Sequence, residues 1–323
     1  MRDDVAAWFA RRTWQPAPWS AADLAEAKAG RTVSVVLPAL NEEATVGHVV
    51  AAVRPLAAPV GPGLPPLVDE ILVIDGGSRD ATPRRAAAAG ARVVDRAAAL
   101  PGVPLREGKG EVLWRSLAAT RGDLLVFLDA DLVDVEPGVV TGLLGPLLRA
   151  HGVHLVKGFY RRPLRLETAE LGTGGGRVTE LVARPLLARF APELAGVVQP
   201  LGGEYAATRD LLESVPMAGG YGVEIGLLLD TLRTRGLDAL AQVDLGVRKH
   251  RHRTLLDLGV TAAQVLATVL ARAGVDARPH PVELVQYTQH TGRWTPASHH
   301  VTVEDRPPMR TLRAQGRRGT IEA

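Results

Sequence analysis

The sequence predicts an α/β protein built on a mostly parallel, right-handed sheet with helices on both faces. Three observations carry this. Short apolar runs of the buried-strand kind alternate with helix-patterned segments through residues 32–132, and that alternation packs as a parallel sheet with right-handed crossovers. Polar loops follow the C-terminal ends of the first, second and fourth strands, the edge at which open α/β sheets hold ligands. One run, LLVFLDADL over residues 124–132, drives five apolar residues straight into Asp129-Ala130-Asp131. Two carboxylates at the end of a buried strand are costly unless something cationic meets them.

The elements follow in order. Residues 5–12 read as a short helix, 14–19 as a Trp/Pro segment, and a second helix follows with Ser20 as N-cap and Gly30 beyond its end. Trp8, Trp14 and Trp19 are expected to anchor this arm on the core. TVSVVL (32–37) is the first strand, running into Pro38-Ala39-Leu40-Asn41-Glu42-Glu43 and a helix over 44–53. The proline-rich stretch 55–66 reads as a loop. The second strand, 70–74, ends in Asp75-Gly76-Gly77-Ser78-Arg79-Asp80, and a helix then runs to Ala89 with Gly90 after it. A third strand covers 91–95, and a helix over 109–120, entered through Gly108-Lys109-Gly110, leads to the strand that ends at Asp129. In the second half, 154–160 is a strand, GTGGG at 172–176 opens a helix over 177–190, and 199–205 is a tight loop entering another strand. A helix starts at 219–224 and runs to Arg235, a strand over 240–247 closes at Arg248-Lys249-His250-Arg251-His252, and a long apolar helix covers 255–273. From Gly274 the chain is polar and proline-rich, with few signs of a core of its own, and reads as an extended tail that wraps the body, packs on a partner or is partly disordered.

Composition narrows the function. At 323 residues with 46% apolar content the chain can bury a large core, which must be aliphatic because aromatics make up only 4%. The net charge is +3 with the basic residues spread along the chain, unlike a nucleic-acid binder with clustered basic and aromatic residues. With no cysteine, thiolate metal sites and cysteine nucleophiles are excluded. The N-terminus lacks the pattern of a secretory signal, and no apolar run reads as a membrane span. A cytoplasmic protein is the expectation.

Five strand-end or helix-start constellations carry candidate chemistry. Asn41 and Glu42 can hold a base and ribose, or Asn41 can cap the following helix. Asp75-Gly76-Gly77-Ser78 allows close backbone approach, or is an ordinary turn with Ser78 as cap. Lys109 is a cation before a helix, suited to a base or phosphate, or simply solvated. TGGGRVT (173–179) offers backbone N–H groups, a helix dipole, Arg177 and Thr179 to an anion. His250 follows a strand toward the same edge as Asp131, and imidazole is a common ligand for borderline metals. For Asp129 and Asp131 themselves, a divalent cation with a phosphorylated ligand and a plain strand end with a turn cap both stand open. No G-x-G-x-x-G and no G-x-x-x-x-G-K-[ST] occurs at these loops.

TVSVVLPALNEEATVG, the strand-end DGGS and LLVFLDADL resemble the nucleotide-sugar domain of GT-A glycosyltransferases. REGKGEVLWRSLAATRGD, HLVKGFYRRPL, GGGRVTELVARPLL, QPLGGEYAATRDLL, GYGVEIGLLLDT and QVDLGVRKHRHR resemble the glucosyl-3-phosphoglycerate synthases of actinobacteria. The resemblance implies a GT-A fold and a retaining hexosyltransferase moving glucose from UDP-glucose to the 2-hydroxyl of 3-phosphoglycerate. It implies Mg2+ as the metal, with Mn2+ as an alternative, and a homodimer. It also implies a division into an N-terminal helical arm (1–30), a nucleotide-sugar-binding half (31–150), an acceptor-binding half of the same domain (151–273) and a polar tail (274–323). Carried over by position, Pro38, Ala39, Leu40 and Glu42 would contact uridine, with Gly76 and Lys109 completing that pocket. Asp129 and Ala130 would serve the sugar-nucleotide, Asp131 and His250 the metal, and Gly176, Arg177 and Thr179 the acceptor's phosphate or carboxylate. Tyr221 and Glu224 would face the transferred sugar, and Arg248 and His252 the acceptor; Glu224, Asp129 and Arg248 form the catalytic set. Departures are Ala130 and Gly76 where relatives commonly have Ser, and His252 where Asn is common. Two other readings are weighed: a mannosyl-3-phosphoglycerate synthase (or dual-donor enzyme) using GDP-mannose, and a non-catalytic sugar-nucleotide-binding protein.

Overall fold

The computed structural model describes residues 1–161, 176–247, 254–275, 282–290 and 293–319. The arm comprises α1 (Asp3–Arg12), the two-residue strand β1 (Thr13–Trp14) and α2 (Ala21–Ala27), whose N-cap Ser20 forms a capping box with Asp23. The first crossover runs β2 (Val33–Ala39), α3 (Val46–Val53), the hairpin β3 (Pro59–Gly61) and β4 (Leu64–Pro66), then β5 (Glu70–Asp75). After α4 (Thr82–Ala88), β6 (Arg92–Asp95) and the one-turn α5 (Arg96–Ala99), α6 (Lys109–Ala119) returns the chain to β7 (Leu124–Phe127). Then come α7 (Gly138–Arg149), β8 (Leu155–Arg161), α8 (Arg184–Phe190), β9 (Tyr205–Thr208) and α9 (Arg209–Ser214). The chain finishes with α10 (Val223–Arg235), β10 (Leu240–Val247), α11 (Leu255–Arg272), the hairpin β11 (Val282–His290) and β12 (Arg293–Val301), and α12 (Met309–Gly319).

Eight strands form one sheet in the order β1-β10-β8-β9-β7-β2-β5-β6. Every pairing is parallel except those of β9 with β7 and β8. Alternation along the strands divides the core into two layers. Val36, Leu72, Ile74, Leu125 and Phe127 face α6, α9, α10 and α11. Val35, Leu37, Val73, Leu124 and Val126 face α2, α3 and α7. The anchoring expected of the arm is present. The indole N–H of buried Trp8 donates to the Leu240 carbonyl at 2.9 Å, and Trp19 lies flush on Gly145 of α7, where a Cβ would fall 2.0 Å from the ring.

Three expectations are corrected, and the tail's course is settled. The proline-rich loop contains the β3–β4 hairpin, turned at Gly63 with φ +73°. The Asp129 strand is shorter than its apolar run: β7 stops at Phe127, and only the Leu128 N–H, donating to the Val36 carbonyl at 3.1 Å, continues the ladder. The tail forms the β11–β12 hairpin and then buries Val301, Val303, Arg306 and Met309 against the body, the first of the packings open to it from sequence. Finally, α11, with 18 residues and mean hydropathy 1.4, does have the length and composition of a membrane span. In the fold it lines the chain's second half instead, with Gln264 and Thr268 against the segment that starts α10.

Candidate active site

The site is assembled where α6, β7 and α10 converge. Gly108 has φ +102°, and a Cβ there would lie 2.7 Å from Gly220 Cα. At Gly110 a Cβ would lie 2.0 Å from the Ala218 carbonyl oxygen. Only glycine lets these backbones approach so closely, and the approach sets the first turn of α6 on the segment that opens α10. Lys109 then meets two carboxylates: its Nζ is 2.6 Å from Asp129 Oδ1 and 2.8 Å from Glu224 Oε1. Glu224 is 4% exposed. Asp129 leans on Gly203, where a Cβ would fall 2.2 Å from Oδ2. Burial opposes the charge on Lys109, but Asp129 and Glu224 outweigh it and hold the pKa well above a lysine's ordinary value. The ammonium is therefore fixed as a cation between the two acids.

Behind this pair stands a second lysine. Lys157 of β8 is 2% exposed; its Nζ donates to the Gly202 carbonyl and lies 4.9 Å from the centre of the Tyr205 ring. Burial, only partly countered by Glu224, lowers its pKa to about 8. Tyr205 stacks on Phe127 with centroids 4.7 Å apart, and burial, with Glu224 nearby, raises its phenol. Lys157 thus fixes the Gly202–Gly203 turn on which Asp129 rests. A lysine inside an otherwise apolar strand, HLVKGFY, is the sequence signal that could have singled it out.

The Asp75 edge forms the other end of the site. β2 and β5 are in register at Ala39 and Asp75, and the Gly76 N–H donates to the Ala39 carbonyl at 2.8 Å. Gly76 faces Ala39, Leu40 and Val112 of α6. Pro38 and Ala39 belong to β2, whereas Leu40 is 55% exposed. Asn41, at φ +56°, does not cap a helix: its Oδ1 accepts from the Arg79 N–H at 2.9 Å and its own N–H donates to Ser78 Oγ. Ser78 therefore does not cap a helix with that hydroxyl, and Glu42 donates its N–H to Thr82 Oγ1 at 2.7 Å. The two loops brace each other. Asp75 Oδ2 accepts from the Gly77 and Ser78 N–H groups, while Oδ1 is buried without a hydrogen-bond partner among the described residues. An orphan buried acceptor at a ligand edge suits an N–H brought by a ligand.

Comparison with known proteins places this geometry. A model of glycosyl transferase family 2 matches residues 34–165. The glucosyl-3-phosphoglycerate synthase of Mycolicibacterium smegmatis is 59% identical over 306 residues, spanning 95% of this chain and 98% of that protein. The chain belongs to the glucosyl-3-phosphoglycerate synthase family. A crystal structure of the Mycobacterium tuberculosis glucosyl-3-phosphoglycerate synthase with Mn2+, UDP and glucosyl-3-phosphoglycerate superposes with TM-score 0.83 at 53% identity, covering 93% of this chain and 99% of that one. Another structure of that enzyme, with Mg2+ and UDP, gives the same TM-score, identity and coverage. The fold is therefore the GT-A glycosyltransferase fold of these synthases.

In this family member, the remaining predicted residues fall as follows. Tyr221 is half-buried, and its N–H donates to Gln264 Oε1 of α11 at 2.8 Å. Gly176 and Arg177 open the helix that continues through a π-helical turn, Thr179–Ala183, into α8; Arg177 is exposed and Thr179 buried. That turn and the start of α10 both pack on α11, so one helix carries both groups. Arg248, His250 and His252 lie outside the described residues. Ala130 is 3% exposed, its methyl packed in the aliphatic core. Lys109, expected beside Gly76, directs its amine toward Asp129 and Glu224 instead. Among the described residues no three His, Asp or Glu side chains gather as a metal cluster. Asp131 is half-buried at the strand end. One or two carboxylates plus substrate phosphates suffice for Mg2+, so the donor set fits a cation shared with a diphosphate.

Proposed function

We propose that this chain transfers glucose from UDP-glucose to the 2-hydroxyl of 3-phosphoglycerate with retention of configuration. The carrying observation is the Lys109–Asp129–Glu224 cluster at the end of β7, in a chain 59% identical to a glucosyl-3-phosphoglycerate synthase along 98% of that protein. Residues 31–150 form the donor half and 151–273 the acceptor half. Pro38, Ala39, Leu40, Glu42 and Gly76 hold the base and ribose. Lys109, Asp129, Tyr221 and Glu224 hold the sugar. Gly176, Arg177, Thr179, Arg248 and His252 hold the acceptor's anionic groups. Asp131 and His250 hold a divalent cation, which when bound supplies charge neutralisation for the departing diphosphate.

The bond from the sugar's C1 to the diphosphate oxygen breaks, and the bond from C1 to the acceptor's O2 forms on the same face. The acceptor's hydroxyl proton passes to the departing phosphate oxygen. Glu224 does not attack: a buried carboxylate held at 2.8 Å by the Lys109 ammonium is a poor nucleophile. It orients the sugar, and Lys109 keeps Asp129 and Glu224 in place for it. For Glu224→Gln the expected result is a much lower kcat with no trapped glycosyl-enzyme and no rescue by azide; an azide-rescued product would establish the covalent route instead. A homodimer and a cytoplasmic location complete the reading. Tyr287 and Trp294, 60% and 67% exposed on one face of the β11–β12 hairpin, support the former.

The deciding assay measures nucleotide release from UDP-glucose, GDP-glucose and GDP-mannose side by side, with and without 3-phosphoglycerate. UDP release that requires the acceptor is expected. Preference for GDP-mannose would make this a mannosyl transfer, and binding without turnover would sink the enzymatic reading.

A further inference from the structure

The last segment of the chain reaches the two elements that deliver Lys109 and Glu224. Beyond β12, the Arg306 N–H donates to the Met217 carbonyl at 2.8 Å, and the Met217 N–H donates to the Arg306 carbonyl at 3.0 Å. A Cβ on Gly219 would fall 3.0 Å from the Glu304 carbonyl oxygen. The strap therefore lies flat on the segment that opens α10. The Arg306 side chain turns the other way, to α6. Its Nε is 2.5 Å and its Nη2 2.8 Å from the Glu111 carboxylate, Nη2 also donates to the Pro104 carbonyl, and the guanidinium lies 4.9 Å from the centre of the Trp114 ring. The Trp114 indole N–H donates to the Pro307 carbonyl at 2.9 Å. Arg272 of α11 adds an ion pair to Asp305 at 2.7 Å.

This arrangement is buried: Arg306 is 8% and Glu111 2% exposed. A bidentate guanidinium–carboxylate pair fixes direction as well as distance. Glu111 stands two residues after Lys109, and Gly219 five residues before Glu224. Burial works against the charge on Glu111, but Arg306 and Arg115 hold its pKa below the ordinary range.

We propose that Arg306 is a positioning residue for the reaction, clamping the first turn of α6 to the Met217–Gly219 segment so that Lys109 and Glu224 meet. It touches neither reacting group. It acts through Glu111 on one side and through its own backbone on the other.

The inference rests on the glucosyl transfer proposed above, so the test carries a readout that needs no turnover. In full-length Arg306→Ala, kcat per folded molecule is expected to fall about 10- to 100-fold, because small misplacements of catalytic groups are costly. KM for both substrates should stay within about threefold, and Arg306→Lys should recover part of the loss. Labelling of Lys109 by an amine-reactive reagent, read by mass spectrometry, should speed up severalfold in Arg306→Ala. Trp8→Phe, which removes a buried hydrogen bond at the far end of the sheet, serves as the control for lost stability and should change neither readout. A folded Arg306→Ala with kcat within twofold and unchanged Lys109 labelling overturns the proposal, as does a kcat loss equal to that of Trp8→Phe. If the unsubstituted chain shows no transfer while Arg306→Ala still exposes Lys109, the functional reading falls and the clamp stands. If Arg306→Ala does not fold, Arg306→Lys and Glu111→Gln are judged by the same two readouts.

Discussion

Replacing Lys157 by Met should make the protein more stable and less active. A lysine held at about 8 instead of 10.5 opposes folding at neutral pH, and at about 1.4 kcal/mol per pH unit this amounts to about 3 kcal/mol. Met matches the chain length and fills the same space. Its cost is the lost hydrogen bond to the Gly202 carbonyl and the lost contact with the Tyr205 ring, about 1 kcal/mol for the former and somewhat less for the latter. A net gain of about 1–2 kcal/mol at pH 7 follows, or a rise of a few degrees in Tm. The sign with pH is fixed by linkage. Between about 8 and 10.5 the folded protein has released the Lys157 proton and the unfolded chain still holds it, so the stability of the unsubstituted protein rises with pH across that window. The advantage of Lys157→Met is thus full below pH 8 and fades toward pH 10.5. Urea unfolding of both proteins at pH 7 and pH 10 measures it. Activity should move the other way, by about tenfold in kcat, because the Gly202–Gly203 turn beneath Asp129 loosens. A variant that is about 2 kcal/mol less stable at pH 7, or a difference that ignores pH, would refute the reasoning.

Other perturbations separate the two ends of the site. Lys109→Met removes the ammonium that pairs with both Asp129 and the buried Glu224; it should cost about 3 kcal/mol in urea unfolding and nearly all turnover. Asp131→Asn should raise the Mg2+ concentration for half-maximal rate about tenfold or more, with little change in Tm; an unchanged metal titration would remove Asp131 from the cation's ligands. Asp75→Asn offers an N–H where the orphan buried oxygen stands. It should raise the donor's KM about 10- to 100-fold, the worth of one mismatched buried hydrogen bond, and leave kcat near its original value. A donor KM within twofold would show that Oδ1 does not face the base.

What the sequence by itself determined is local. Short apolar runs placed the central strands β2, β5, β7, β8 and β10, because burial patterning is a property of neighbouring residues. Strand-end acids and glycines marked the ligand edge for the same reason. Local patterning also misled. In α7, Gly138, Gly142, Gly145 and Pro146 conceal a buried helix, since two of those glycines answer to the approach of Trp19 and of Leu245 with Ala17. Among the tail's described residues only Val301, Val303 and Met309 are buried apolar side chains, too sparse to announce a core. The tertiary structure alone decided the meetings. Lys109 sits between Asp129 and Glu224, Lys157 stands behind them, and Arg306 reaches Glu111 across 195 residues. Such contacts depend on how closely backbones pass at Gly108 and Gly110 and on the room Gly203 leaves for the Asp129 carboxylate. That closeness is set by the packing of the whole sheet and its helices, and it leaves no periodic trace in the chain.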